Sequence, residues 1–239
     1  MAYEMNFGAV FARSPDLVAG TINTLTLSAE SISIGLCIGL AAALLRFQGP
    51  GWIGRIGTAY IEFFRNTPML VQLFLLFFGL PYLGIHLSAD FSAVIAISMN
   101  LGAYSGEIFR AGLEAIPKTQ IEAGLALGLS RLQTMRYIVV VPALRIIYPA
   151  LTGQLTLTLL GTSMASAISA NELTLAGAKI ESQTFRSLET FLVLAVIYIL
   201  MTFAFRALYW AIGLMLFRRK KVPKMSMTEA TVLSQEIKA

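Results

Sequence analysis

The chain of 239 residues has little that a soluble protein relies on: one cysteine, one histidine, two tryptophans and only 13% charged residues. Each scarcity excludes a class. With Cys37 alone no disulfide framework can form. His86 is the sole histidine and stands beside no second His, Cys or carboxylate cluster, so no zinc-type ligand spacing occurs. No paired carboxylates or nucleophile elbow appear, which leaves a membrane-embedded enzyme without visible machinery. An ion channel, the other rival, lacks a filter loop or a ring of charge within a span. The chain has no Gly-Lys dipeptide, hence no P-loop to cradle a phosphate. No repeat at a fixed period marks a solenoid or propeller.

What is present is apolar bulk. Hydrophobic residues make up 56% of the chain, mean hydropathy is +0.73, and a globular protein carries about twice this share of charge. One core cannot hide so much apolar surface, so the solvent for most of the chain must be lipid. The expected fold class is an all-α polytopic membrane protein. Crossing about 30 Å of hydrocarbon takes about 20 helical residues. Five stretches meet that length: Thr21 to Leu45, Thr67 to Ile85, Phe91 to Phe109, Ala143 to Ile168 and Leu188 to Ala211. No cleavable signal peptide is visible, since Glu4, Arg13 and Asp16 interrupt the first 16 residues.

The formal charge of +5 is organised as topology determinants rather than as a nucleic-acid face. With five spans, one side collects Arg46, Arg55 and Arg65; Arg110, Lys118, Arg131, Arg136 and Arg145; and Arg206, Arg218, Arg219, Lys220, Lys221, Lys224 and Lys238. The other side holds Arg13, Lys179 and Arg186. Fifteen against three places the N-terminus outside and the C-terminus in the cytoplasm. The expected domains are an extracytoplasmic segment over 1–16, a transmembrane unit over 17–217 with its main cytoplasmic loop at about 111–141, and a basic cytoplasmic tail over 218–239.

That loop reads as two short helices. Thr119-x-x-Glu122 and Ser130-x-x-Gln133 both have capping-box spacing, and Gly128 between them permits a left-handed stop. The run Gln120 to Leu127 is small and apolar, with charge almost confined to Glu122, and lacks the Lys/Arg face of a helix resting on lipid. Small residues admit another backbone closely, so a protein-docking helix is expected here.

Five other sites are open to reading from sequence. Glu30 lies 16 residues before Arg46, about 24 Å along a helix, near the outer headgroups. Glu62 and Arg65 can pair on one face. Asn100, polar within the third span, is suited either to contact solute or to bond helices together. Arg206 can snorkel to the interface, and Cys37 reads as inert packing.

Glu122-Ala123-Gly124, three residues, Gly128, nine residues and Ile138 resemble the EAA loop of ABC importer permeases. The likeness continues in Tyr60-Ile61-Glu62-Phe63-Phe64-Arg65-Asn66-Thr67-Pro68, Val71-Gln72, Ala103-Tyr104, Glu107-Ile108-Phe109-Arg110, Ile116-Pro117-Lys118, Ala126-Leu127-Gly128-Leu129-Ser130, Ala143-Leu144-Arg145, Thr162-Ser163 and Glu172-Leu173. Together these resemble the polar amino acid subfamily (histidine, glutamine, arginine and opine types) over about residues 15 to 210.

The resemblance implies a type I ABC importer permease of a bacterial inner membrane, with five transmembrane helices and a cytoplasmic coupling helix between the third and fourth. It implies a second permease subunit, two ATPase subunits that bind ATP and Mg, and an extracytoplasmic solute-binding protein as partners, with alternating access driven from the ATPase. Thr119, Glu122, Ala123, Gly124, Ala126, Leu127 and Gly128 are the expected coupling residues. Asn100, Thr162 and Ser163 are the expected substrate-path residues. Gly124 stands where the family usually has Ala, Thr119 where Gly is common, and Pro142 one position late. Leu160-Gly161 replaces a Lys-Asp pair frequent in relatives, so two copies of this chain would offer a charged solute no ionised partner there; a heterodimer is expected.

Overall fold

The computed structural model describes residues 4–48 and 51–217; the basic tail expected over 218–239 lies outside the described residues. Every described element is helical. α1 (Gly8–Phe11) leads into α2 (Ser14–Gln48), then come α3 (Gly51–Arg65), α4 (Met69–Phe74), α5 (Ala89–Glu114), α6 (Lys118–Ala126), α7 (Arg131–Gln133), α8 (Val141–Gly161), α9 (Leu173–Thr184) and α10 (Ser187–Leu216). A π-helical turn, Leu75–Gly79, and a 3₁₀ turn, Leu80–Leu83, extend α4; Thr134–Val140 (π) joins α7 to α8, and Thr162–Ile168 (3₁₀) follows α8.

Among the described residues three helical stretches are long and apolar enough to cross a membrane: Ser14–Arg46, Arg131–Ile168 and Ser187–Leu216. A fourth is the pair Gly51–Arg65 and Met69–Leu83, bent by 105°. The expected second span is therefore not a straight helix from Thr67 but the upper arm of an elbow. Pro68 causes the break: at φ −62° and ψ 136° it begins the new helix in extended geometry, and it lacks the N–H that would continue α3.

The expected third span falls within α5, which is long enough at 26 residues but is built for packing rather than for lipid. Gly102, Ala103, Ser105 and Gly106 are buried on it, and it runs parallel to α2, so that Gly35 meets Leu101 and Gly39 meets Ser105. A Cβ at Gly39 would overlap the Ser105 side chain and press on the Gly102 carbonyl. Backbone contact this close needs glycine on the approaching face. Composition alone thus undersells the central helix.

Two apolar clusters tie the bundle together. Leu27, Leu73, Ala93, Val94, Ile97, Ala165 and Ile168 join α2, α4, α5 and the 3₁₀ segment. Val10, Leu17, Leu159, Leu173, Ile180, Leu194 and Met201 join α1, α2, α8, α9 and α10. α10 has a mean hydropathy of 2.3 in its most apolar window, yet only 11% of that window is buried, so its outer face is left for lipid or another chain. Cys37 is exposed, not packed.

Candidate functional site

The short helix α6 stands at the end of the bundle where α2 and α5 finish. It begins two residues earlier than Thr119-x-x-Glu122 suggested. Pro117, extended at ψ 136°, is the N-cap, and no side chain caps the helix. Thr119 is already inside the first turn, so its expected box with Glu122 does not form. The second box does form: Gln133 N–H donates to Ser130 Oγ at 3.3 Å and Ser130 N–H to Gln133 Oε1 at 2.9 Å.

The far end of α6 closes at Gly128, whose φ of +83° lies in the left-handed region. Leu129 N–H donates to the Gly124 carbonyl at 3.2 Å and Gly128 N–H to the Leu125 carbonyl at 3.0 Å, the two bonds of a Schellman stop. A side chain at 128 would meet empty space, so the demand for glycine is conformational.

Gly124 has a different job from the one its size suggested. It is buried, and a Cβ there would overlap Ile138 Cδ1 and touch Thr134 at 3.5 Å. The absent side chain lets α6 seat on its own chain, beside a cluster of Ile116, Val139 and Ala143 that Ile121 and Met135 join. The opposite side is open. Thr119, Glu122, Ala123, Ala126, Leu127 and Gly128 are exposed, Leu127 by 84%. A small, mostly uncharged surface is held at both ends and braced from behind.

A charged cluster lies toward the ends of α2 and α5. Glu107 accepts from Arg46 Nη1 at 2.8 Å and from the Arg110 guanidinium, whose Nη1 also donates to Glu114 at 2.5 Å. The expected Glu62–Arg65 pair is absent among the described residues; the Arg65 guanidinium lies over the Tyr104 ring, 5.5 Å from its centroid. That contact also joins α3 to α5.

Of the expected path residues, Asn100 sits half-buried on α5 and donates to Gln72 Oε1 at 3.1 Å. Thr162 is fully buried, and its hydroxyl donates to the Leu159 carbonyl at 2.8 Å, which closes it off in this conformation. Ser163 is half-buried and donates to the Leu160 carbonyl at 2.7 Å. Asn100 and the Thr162–Ser163 pair share no hydrogen bond.

At the opposite end, Glu30 is exposed and lines a cavity of about 410 Å³ with Asn23, Thr26, Asp90 and Asn171. Sequence reasoning gave no role to Glu172, which turns out to anchor this end. It is 1% exposed, caps α9 by accepting from Leu175 N–H at 2.7 Å and Thr174 N–H at 2.8 Å, and accepts from Tyr198 Oη at 2.9 Å. Burial pushes its carboxyl above the usual range, against the pull of those donors. The signal available in sequence was an acidic residue just before an apolar helical run. His86 is exposed, and among the described residues no group of three His, Cys, Asp or Glu could hold a metal.

Residues 35–213 match the family described as binding-protein-dependent transport system inner membrane component. The chain belongs to this family. Among relatives of the permease is the glutamine transport system permease protein GlnP of Escherichia coli (strain K12), 38% identical over 202 residues, covering 83% of this chain and 92% of GlnP. The octopine transport system permease protein OccM of Rhizobium meliloti is 35% identical over 196 residues, covering 78% and 80%. A crystal structure of an amino acid ABC transporter with histidines matches with a TM-score of 0.82 at 33% identity, covering 88% of this chain and 98% of that one. The MetNI methionine ABC transporter in an inward-facing form matches at 0.64 and 23% identity, a likeness of fold. The permease thus has the ABC permease fold, all helical, as the sequence implied.

Proposed function

We propose that this permease is one membrane subunit of an ATP-driven importer that carries a polar amino acid or amino-acid derivative into the cytoplasm. The relatives support the solute class, being permeases for glutamine and octopine. The observation that carries the mechanism is the build of α6: seated through Gly124, stopped at Gly128, and presenting Thr119, Glu122, Ala123, Ala126 and Leu127 outward. On this reading a cytoplasmic ATPase subunit docks on that face, and α6 passes its movement through the π segment at Thr134–Val140 into α8. ATP and Mg are held by the ATPase, because this chain offers no phosphate loop. Rocking of the bundle then exposes the path to one side and next to the other.

The same reading has five spans, the N-terminus outside and α6 in the cytoplasm, in accord with the fifteen-to-three distribution of basic residues. Two ATPase subunits, an extracytoplasmic solute-binding protein and a second, different permease complete the assembly. Asn100 and Ser163 face the solute path, with Thr162 packed behind. The test is a cross-link. Ala123→Cys, in a chain whose Cys37 is replaced by Ser, should form a disulfide under mild oxidation with single cysteines introduced along the membrane-facing groove of the ATPase subunit, and ATP should change the yield. A complex that assembles and transports but never cross-links from 119, 123 or 126 would contradict docking at α6.

A further inference from the structure

The elbow between α3 and α4 is held by a side-chain amide whose orientation is forced. Gln72 is 3% exposed, and its Nε2 donates to the Phe64 carbonyl at 2.9 Å, the Thr67 carbonyl at 3.0 Å and Thr67 Oγ1 at 2.8 Å. Backbone carbonyls accept and never donate, so two of them together fix which end of the amide is the NH₂. Gln72 Oε1 must then face α5, where it accepts from Asn100 Nδ2 at 3.1 Å.

The constraint passes to the next residue. An acceptor at Gln72 demands a donor from Asn100, and the same Nδ2 also reaches the Phe64 carbonyl at 3.5 Å. Both partners of Asn100 thus consume its NH₂ end. Its Oδ1 is turned the other way, with no partner among the described residues and without being sealed from solvent.

An amino acid crossing the membrane carries an α-ammonium group that needs an acceptor at every step. A neutral amide oxygen suits transit: it binds a cation but does not hold it as a buried carboxylate would. Resting on the importer reading above, the geometry points to Gln72 as a positioning residue, which fixes the Asn100 amide so that its carbonyl oxygen is offered to the α-ammonium group of the solute. The bend at Pro68 brings this about, because it frees the carbonyls of Phe64 and Thr67 that lock Gln72.

The test uses proteoliposomes holding the assembled transporter and whichever of the twenty proteinogenic L-amino acids or octopine it takes up fastest. KM for uptake is compared for the parent chain, Asn100→Leu, Gln72→Met and the double variant, with basal ATP hydrolysis as the check on assembly. Each single change should raise KM about tenfold, the effect of losing one hydrogen bond to a charged group. The double variant should be no worse than Asn100→Leu alone, because Gln72 acts through Asn100. Gln72→Ala provides the same comparison where Gln72→Met fails to assemble. Independent, multiplying effects would show that Gln72 merely braces the elbow, and an unchanged KM in Asn100→Leu would overturn the assignment by itself. A parent complex that takes up neither an amino acid nor octopine overturns the importer reading and this inference together.

Discussion

Gly124 offers a graded test of whether α6 transmits force through its seat. The clash a new Cβ makes is with Ile138 Cδ1, the end of a flexible side chain, while the Thr134 atoms lie at 3.5 and 3.6 Å, ordinary contact. For Gly124→Ala, turning Ile138 away costs about 0.5–1.5 kcal/mol. Replacing a helical glycine by alanine returns about 1 kcal/mol. The two nearly cancel, so coupling should survive. Gly124→Leu adds three further carbons that the seat cannot take, and overpacking of this kind costs about 1–3 kcal/mol. Net weakening of about 1–2 kcal/mol shifts the seated-to-unseated ratio about 5- to 30-fold.

The assay is ATP hydrolysis in proteoliposomes with and without solute-loaded binding protein. Stimulation should stay near the parental level in Gly124→Ala and fall at least fivefold in Gly124→Leu, with unchanged subunit ratios in both. Gly124→Leu combined with Ile138→Ala, which vacates the space, should recover much of it. Full stimulation in Gly124→Leu with parental assembly would refute the claim that the seat matters.

Glu122→Ala should leave the stability of α6 unchanged within about 0.5 kcal/mol, because Glu122 forms no cap; any loss of stimulated hydrolysis then reports a lost contact with the ATPase, and a loosened α6 in hydrogen exchange would contradict this. Glu172→Ala strands the amides of Thr174 and Leu175 and leaves the Tyr198 hydroxyl only its contact with Thr174 Oγ1, and should destabilise by about 2–4 kcal/mol in thermal melts, with Tyr198→Phe milder; equal melting temperatures would deny the anchor. In a chain lacking Cys37, single cysteines near Leu87 should be labelled from outside and near Ser130 from inside, and outside labelling of both would break the five-span topology. Expressed with the ATPase alone the chain should give no transporter, and with a second permease it should purify in equal amounts; an active importer with this chain as the sole permease would refute the heterodimer.

Much of the architecture was legible because apolar length is a strong signal: α10 contains the stretch Leu188 to Ala211, and α8 with the 3₁₀ segment that follows it contains Ala143 to Ile168. The Ser130 box and the Gly128 stop were legible too, since both are local chemistry. The elbow was harder. Pro68 was in plain view, but α3, with Arg55, Glu62 and Arg65 along it, is too charged to look like part of a span. Thr119 misled because Pro117 had already started the helix. Gly124 and Glu172 depend on what packs against them from Ile138 and Tyr198, which no spacing within one helix reveals.

On the proposed mechanism this chain opens a path for a solute only when ATP is consumed by a bound partner. Uptake of labelled amino acid should therefore be measured in proteoliposomes containing the chain, its second permease and the ATPase, with binding protein on one face and ATP on the other. Accumulation against a gradient that requires ATP, and stops when the ATPase is omitted or its catalytic base is removed, is the result expected. Equal uptake without ATP, or with the ATPase absent, would contradict the account.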